Sequence, residues 1–223
     1  MWPPPPGLRS YSNPVCKLRS LLILDTLVRP WIDPPLNACG RRLAAMGVVA
    51  DGMTIVGLGV GLGAAAAIAT QRFGLGLLLL ALSRLFDGLD GAVARSSAPT
   101  DRGAYLDIVC DFVLYAAIPL AFAFANPARN ALPAAALLAS FAATGTSFLA
   151  FATLAAKRGL ETTAQGRKSF FYSFGVMEGT ETIAFLAAMT VWPRGFPTLA
   201  WIAAGLCVLT VVQRSVLAIR TFR

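Results

Sequence analysis

The chain has 223 residues, of which 57% are hydrophobic and 13% charged, with a mean hydropathy of +0.67 and a formal net charge of +8. A soluble domain cannot hide that much apolar surface, so composition excludes an ordinary soluble fold and points to a polytopic membrane protein with room for about six spanning helices. In such a chain the positive balance reflects basic loops facing anionic headgroups and implies no nucleic-acid partner.

Residues 1–13, beginning MWPPPPG, read as extended or disordered chain, because proline removes backbone donors. The run SLLILDTLV (20–28) is short, is broken by Asp25 and lacks a small-residue cleavage site, so it is not read as a secretory signal. Residues 1–32 are therefore assigned to a flexible or interfacial N-terminal segment, and 33–223 to one membrane domain. At its start, DPPLNACGRRLAAMGV (33–48) offers Asp33 as a helix cap followed by two prolines. Leu36, Leu43 and Met46 recur at helical spacing beside Arg41 and Arg42, the pattern of an amphipathic helix lying on a membrane surface.

Six spans are expected at about 53–70, 74–94, 104–125, 131–156, 175–192 and 196–219. The fold class is thus all-α: a six-transmembrane-helix bundle with an N-terminal amphipathic interfacial helix. The first span contains GLGVGLGAAAAIA (57–69), whose small residues suit close helix packing. Its glycine spacing is not a dinucleotide loop, since no strand precedes it.

Lysines and arginines set the orientation. One side collects Arg9, Lys17, Arg19, Arg29, Arg41, Arg42, Arg95, Arg102, Lys157, Arg158, Arg167, Lys168, Arg220 and Arg223; the other has Arg72, Arg129 and Arg194. Fourteen against three places both termini in the cytoplasm of a bacterial inner or plasma membrane. Arg84 and Arg214 fall within spans. The four cysteines are scattered without a CxxC pair, so neither a disulfide framework nor a zinc site is indicated. With no histidine, acid–base chemistry falls to carboxylates, Lys, Tyr, Cys or water.

The stretch DGLDGAVARSSAPTDRGAYLDIVCD (87–111) holds five aspartates between apolar runs. Ionised groups at membrane depth are costly and mark function by default. Asp87 and Asp90 are spaced i, i+3 near the end of the second span, and Asp107 and Asp111 i, i+4 near the start of the third, so each pair shares one helix face. Folding the hairpin about residue 99 brings all four to matching depth, about 6–12 Å below the cytoplasmic helix ends. Four close carboxylates need cations, and oxygen-only ligands suit Mg²⁺ or Mn²⁺, here two ions able to clamp a phosphoryl group. Small residues at 88, 91, 92, 94, 103 and 104 leave space for a ligand, and Arg95 stands at the mouth where it can neutralise a phosphate. Asp101 lies outside this symmetry and reads as a helix cap or a solvated charge. The same acids could instead form structural ion pairs, or a cation or proton path in a transporter. The apolar runs LGLLLLAL and VLYAAIPLAFAFA beyond them argue against a continuous path.

Asp87-x2-Asp90-Gly91-x2-Ala94-Arg95, seven residues, then Gly103-x3-Asp107-x3-Asp111 resembles the signature of the CDP-alcohol phosphotransferases, in which seven or eight residues separate the arginine from the glycine. The resemblance implies transfer of a phosphatidyl group from CDP-diacylglycerol to an alcohol hydroxyl, with release of CMP, by an enzyme of phospholipid synthesis. It also implies that Asp87, Asp90, Asp107 and Asp111 bind the metal ions and that Asp111 is the general base. Gly91, Ala94, Arg95 and Gly103 would contact the CDP moiety, and the protein would be a homodimer among membrane lipids. An intact motif also disfavours a catalytically dead scaffold. For the acceptor alcohol the candidates are Lys157, Arg158, Arg167 and Lys168, which would attract an anionic acceptor. Glu178 and Glu181, i, i+3 in GVMEGTETIAF (175–185), could bind a polyol, attract a cationic amino alcohol, or pair with Arg84 or Arg214.

Overall fold

The computed structural model describes residues 24–97, 100–159, 161–162, 169–170 and 175–222. Among the described residues, seven α-helices follow one another: α1 (Leu24–Ala45), α2 (Ala50–Ala69), α3 (Phe73–Ser96), α4 (Asp101–Ala125), α5 (Pro127–Lys157), α6 (Gly179–Val191) and α7 (Phe196–Thr221). A two-residue antiparallel pairing, Glu161–Thr162 with Ser169–Phe170, lies between α5 and α6, and a single 3₁₀ turn, Pro193–Gly195, leads into α7.

Each expected span coincides with a helix to within a few residues. Among the described residues, four segments are long and apolar enough to cross a membrane: Ala50–Ala69, Asp101–Ala125, Pro127–Lys157 and Pro193–Thr221. The other two expected spans differ for separate reasons. α3 has 24 residues, ample length, but carries Arg84, Asp87, Asp90 and Arg95. α6 has 13 residues, a rise of about 20 Å against a hydrocarbon core of about 30 Å. α1 also departs from expectation. It starts at Leu24, so Asp33 and the prolines after it lie inside the helix rather than at its cap. The hydrophobic spacing continues upstream through Leu24, Leu27 and Trp31, and the helix follows it.

Small residues decide the packing at the end of the bundle that holds the aspartates. A Cβ on Gly40 of α1 would come within 2.6 Å of the Ala92 Cβ in α3, so a larger side chain would force the two helices apart. Gly57 and Gly61, both buried, let α2 settle against α3, where the Ser83 hydroxyl donates to the Gly57 carbonyl at 2.7 Å. The core is apolar: Ile68, Leu80, Leu114, Ile118, Phe122, Leu137, Leu186, Met189 and Phe196 are almost fully buried. Phe122 stacks on both Phe73 (5.9 Å between ring centroids) and Phe196 (4.4 Å). Outward-facing side chains are apolar too, among them Leu78, Phe124, Leu132, Trp201, Val208 and Val212. A surface of this kind matches a hydrocarbon solvent rather than water.

Candidate active site

The acids meet on the antiparallel pair α3–α4. Asp87, Asp90 and Asp107 each present a carboxylate oxygen, and these atoms all lie within 4.8 Å of one another. Asp90 is 5% exposed, Asp87 half-buried and Asp107 open. Thr54, reaching over from α2, donates its hydroxyl to Asp90 Oδ2 at 2.5 Å and fixes that carboxylate. A set of three hard oxygen donors from two helices, confined to so small a volume, fits a divalent cation such as Mg²⁺ or Mn²⁺.

Asp111, the fourth acid, stands beside this trio with partners of its own. Arg84 donates from Nη1 to Asp111 Oδ1 at 2.6 Å and sits 3.6 Å from Asp87 Oδ2, so one guanidinium bridges α3 and α4. The Tyr115 hydroxyl donates to Asp111 Oδ2 at 3.3 Å. Both partners were legible only as spacings: Arg84 precedes Asp87 by three residues, and Tyr115 follows Asp111 by four. The sequence carried no comparable signal for Thr54.

Around the mouth, the Gly91 Cα faces the Arg95 guanidinium, 3.2 Å from where a Cβ would stand. Arg95 donates from Nε and Nη2 to Asn37 Oδ1 of α1 at 3.3 and 3.0 Å. Ala94 is half-buried on the same helix. The Gly103 amide donates to the Thr100 hydroxyl at 3.0 Å, which makes Thr100 the N-cap of α4. The cap reading of Asp101 is corrected accordingly: Asp101 is an exposed residue of the first turn, favourable to the helix dipole there. Arg102 is engaged by Asp51 of α2, Nε to Oδ2 at 2.7 Å.

A cavity of about 390 Å³ opens beside Asp107 and Asp111 and runs to the start of α6 and the last turns of α7. Glu178 and Glu181 both line it, and they also form a reciprocal capping box in which each side chain accepts a backbone amide at the start of α6. Arg214, 7% exposed, lines it too, and donates from Nη1 to the Thr144 carbonyl and the Ser147 hydroxyl, both at 2.9 Å. Lys157 is exposed on the last turn of α5 and does not line the cavity. Arg158 does not line it either; it donates to the Phe222 carbonyl at 2.9 Å and covers the Phe222 ring, joining the ends of α5 and α7. Arg167 and Lys168 lie outside the described residues.

A sequence model of the CDP-alcohol phosphatidyltransferases matches residues 47–213, which contain α2 to α6 and most of α7. The chain belongs to that family. It is an integral membrane transferase of phospholipid synthesis, and a transporter using the same acids finds no support among its relatives. The transferase is 43% identical over 192 residues to the inner membrane protein YnjF of Escherichia coli (strain K12), covering 86% of this chain and 93% of that protein. It is 30% identical over 103 residues to the archaetidylinositol phosphate synthase of Pyrococcus horikoshii, covering 46% of this chain and 55% of the relative. Its fold resembles the crystal structure of the Mycobacterium tuberculosis phosphatidylinositol phosphate synthase PgsA1 with CDP-DAG bound. The TM-score is 0.59 and the identity 23%, over 80% of this chain and 90% of that one. The same synthase in complex with manganese and citrate gives a TM-score of 0.57 at 23% identity, over 80% and 86% of the two chains.

Proposed function

We propose that the transferase moves the phosphatidyl group of CDP-diacylglycerol onto the hydroxyl of an alcohol acceptor, releasing CMP, with help from divalent cations held by Asp87, Asp90 and Asp107. The observation that carries this reading is the junction at Asp111: the acid shares the Arg84 guanidinium with Asp87 of the three-carboxylate cluster and, with Asp107, lines the cavity. Divalent cations, two in number and either Mg²⁺ or Mn²⁺, would neutralise the diphosphate and polarise the bond that breaks. Asp111 orients the acceptor hydroxyl and takes its proton as general base, and the Arg84 and Tyr115 contacts hold its carboxylate in place. Thr54 keeps Asp90 in its binding rotamer. The backbone around Gly91, Ala94 and Gly103 leaves room for the CDP moiety, and Arg95 steadies its phosphates.

The donor's acyl chains lie among lipids while the nucleotide reaches the acids from the cytoplasm, on the basic side of the membrane. In this arrangement α3 and α6 join the four long apolar segments as membrane-embedded helices, α3 because its charges face the site rather than lipid. α1 lies along the cytoplasmic surface. The protein works as a homodimer, as the family resemblance implies. The relatives solved with CDP-DAG and with manganese support the donor and the metal class.

The deciding experiment incubates the purified chain with labelled CDP-diacylglycerol, Mg²⁺ or Mn²⁺ and a set of alcohols. Metal-dependent CMP release is expected from the native protein. Asp111→Asn should stay folded and membrane-inserted but lose turnover by about two orders of magnitude or more, the scale of general-base catalysis. Native turnover in that variant would refute the base role.

A further inference from the structure

Asp111 is held at both carboxylate oxygens, and its two partners stand in different places. Oδ1 accepts from Arg84 Nη1 at 2.6 Å, and Oδ2 accepts from the Tyr115 hydroxyl at 3.3 Å. Tyr115 lines the cavity, as Asp111 does, whereas Arg84 does not. Oδ2 is thus the oxygen of Asp111 that is paired with a group of the cavity wall. Tyr115 lies outside the run of acids, glycines and arginine between Asp87 and Asp111.

Ring packing, rather than that hydrogen bond, sets where the phenol stands. The Tyr115 ring meets Phe112 edge-on, with centroids 6.3 Å apart, and leans against Phe141 at 6.2 Å. Both neighbours line the cavity as well. Phe112 is seated in turn against Gly145 of α5, where any Cβ would run into its ring. A Cβ on Gly179, the first residue of α6, would stand 3.8 Å from the Tyr115 oxygen. The hydroxyl therefore lies close both to the Asp111 carboxylate and to the start of α6, and each of these bounds the cavity.

A hydroxyl at this place can do more than steady Asp111. A phenol has one proton to donate and lone pairs that accept. Its proton goes to Oδ2 over 3.3 Å, longer than the usual O–H···O separation of about 2.7–2.8 Å, so an incoming alcohol can compete for that oxygen at small cost. The lone pairs can accept from a donor group of the same alcohol.

We propose that Tyr115 touches the acceptor alcohol and steers its reacting hydroxyl onto Asp111 Oδ2. This rests on the transfer reaction proposed above and adds a substrate-contacting residue to it. The acceptor's O–H proton passes to Oδ2 while its oxygen bonds to the phosphatidyl phosphorus. The bond from that phosphorus to CMP breaks, and its electron pair leaves with CMP. Arg84, on the other oxygen, holds the carboxylate without reaching the alcohol.

The test compares the native chain with Tyr115→Phe and Arg84→Gln, each full-length and purified, with Mn²⁺ and cytidine-labelled CDP-diacylglycerol. Tyr115→Phe removes one oxygen and keeps the ring that packs on Phe112 and Phe141. Glycerol, inositol, serine, ethanolamine, glycerol 3-phosphate and inositol phosphate are offered to the native chain, and the alcohol that gives the fastest CMP release is carried through. In Tyr115→Phe the KM for that alcohol should rise about fivefold, the scale of one neutral hydrogen bond, with the KM for CDP-diacylglycerol unchanged. Arg84→Gln acts through Asp111 alone, so it should lower kcat and leave the acceptor KM at its native value.

An acceptor KM in Tyr115→Phe less than about twofold above native overturns the proposal even if kcat falls, because Tyr115 then serves only to hold Asp111. An equal rise in acceptor KM in Arg84→Gln overturns it too, since any loosening of Asp111 would then suffice. So does a parallel rise in both KM values in Tyr115→Phe, the mark of a disturbed fold. All three results leave the transfer reaction standing. Native protein that releases no CMP with any of the six alcohols overturns the reaction, and the proposal with it.

Discussion

Arg84 shows how much one residue outside the family signature contributes to the arrangement of the acids. Its guanidinium touches Asp111 and approaches Asp87, so it offsets carboxylate repulsion from the α3 side. Arg84→Gln keeps hydrogen-bonding capacity but removes the charge. It should lower kcat by about tenfold or more with little change in the KM for CDP-diacylglycerol, because the group acts through Asp111 rather than on the nucleotide. Steady-state kinetics with both substrates varied will show the split. Arg95→Ala should behave in the opposite sense, raising the donor KM by about tenfold through the lost phosphate contact. Asn37→Ala, which removes only the partner of Arg95, should produce a smaller rise in the same parameter. Thr54→Val would leave the buried Asp90 carboxylate without its hydroxyl donor, at a cost of about 1–3 kcal/mol. Manganese titration of that variant should show weaker binding.

Among the elements, α4 depends on how it begins. Thr100 caps it, and two turns further on the helix delivers Asp107 and then Asp111. Thr100→Ala should cost about 1 kcal/mol, a fall in Tm of about 2–4 °C for a chain of this size. The α1–α3 crossing is more sensitive. Gly40→Leu cannot be accommodated against Ala92 without moving α1, and α1 carries the Asn37 that holds Arg95. Its expected signature is therefore a raised donor KM together with lowered thermal stability. The elements also separate what hydropathy reveals from what it conceals. The segments at 50–69, 101–125 and 127–157 each hold a long apolar stretch with few charges, in α4 the part beyond Asp111, and declare themselves. α3 carries four charges and α6 is short, so each was recognisable by position and partial pattern rather than by a full apolar length. The early start of α1 was obscured by prolines whose usual place is a helix start.

Considered as a whole, the molecule is a bundle whose polar groups concentrate at one end. Leu114, Ile118 and Phe122 continue α4 beyond Asp111 as a closed apolar core. Along α4, ions entering at the acids therefore meet apolar side chains. The two groups of basic residues should report from opposite sides: a thiol placed at Lys157 or Arg220 should react with an impermeant reagent only from the cytoplasmic face, and one at Arg72 or Arg194 only from the other face. Reversed labelling would refute the orientation. Chelation should abolish CMP release without unfolding the protein, because the apolar core rather than the acid cluster holds the helices together; restored Mn²⁺ should return activity, with circular dichroism unchanged throughout.

From its sequence alone the chain was bound to be an α-helical membrane protein with paired acids on two successive helices. Those properties follow from local quantities: the hydropathy of each segment, and spacings of three and four residues that place side chains on one helical face. Tertiary structure decided which acids share one locus, that Asp111 takes Arg84 and Tyr115 as partners, and that Thr54, 36 positions away, steadies Asp90. It also decided that the cavity is walled by the α6 glutamates and an anchored Arg214 rather than by Lys157 and Arg158. These contacts depend on how helices distant in sequence rotate and cross, which the close packing of small residues determines only once the bundle has assembled.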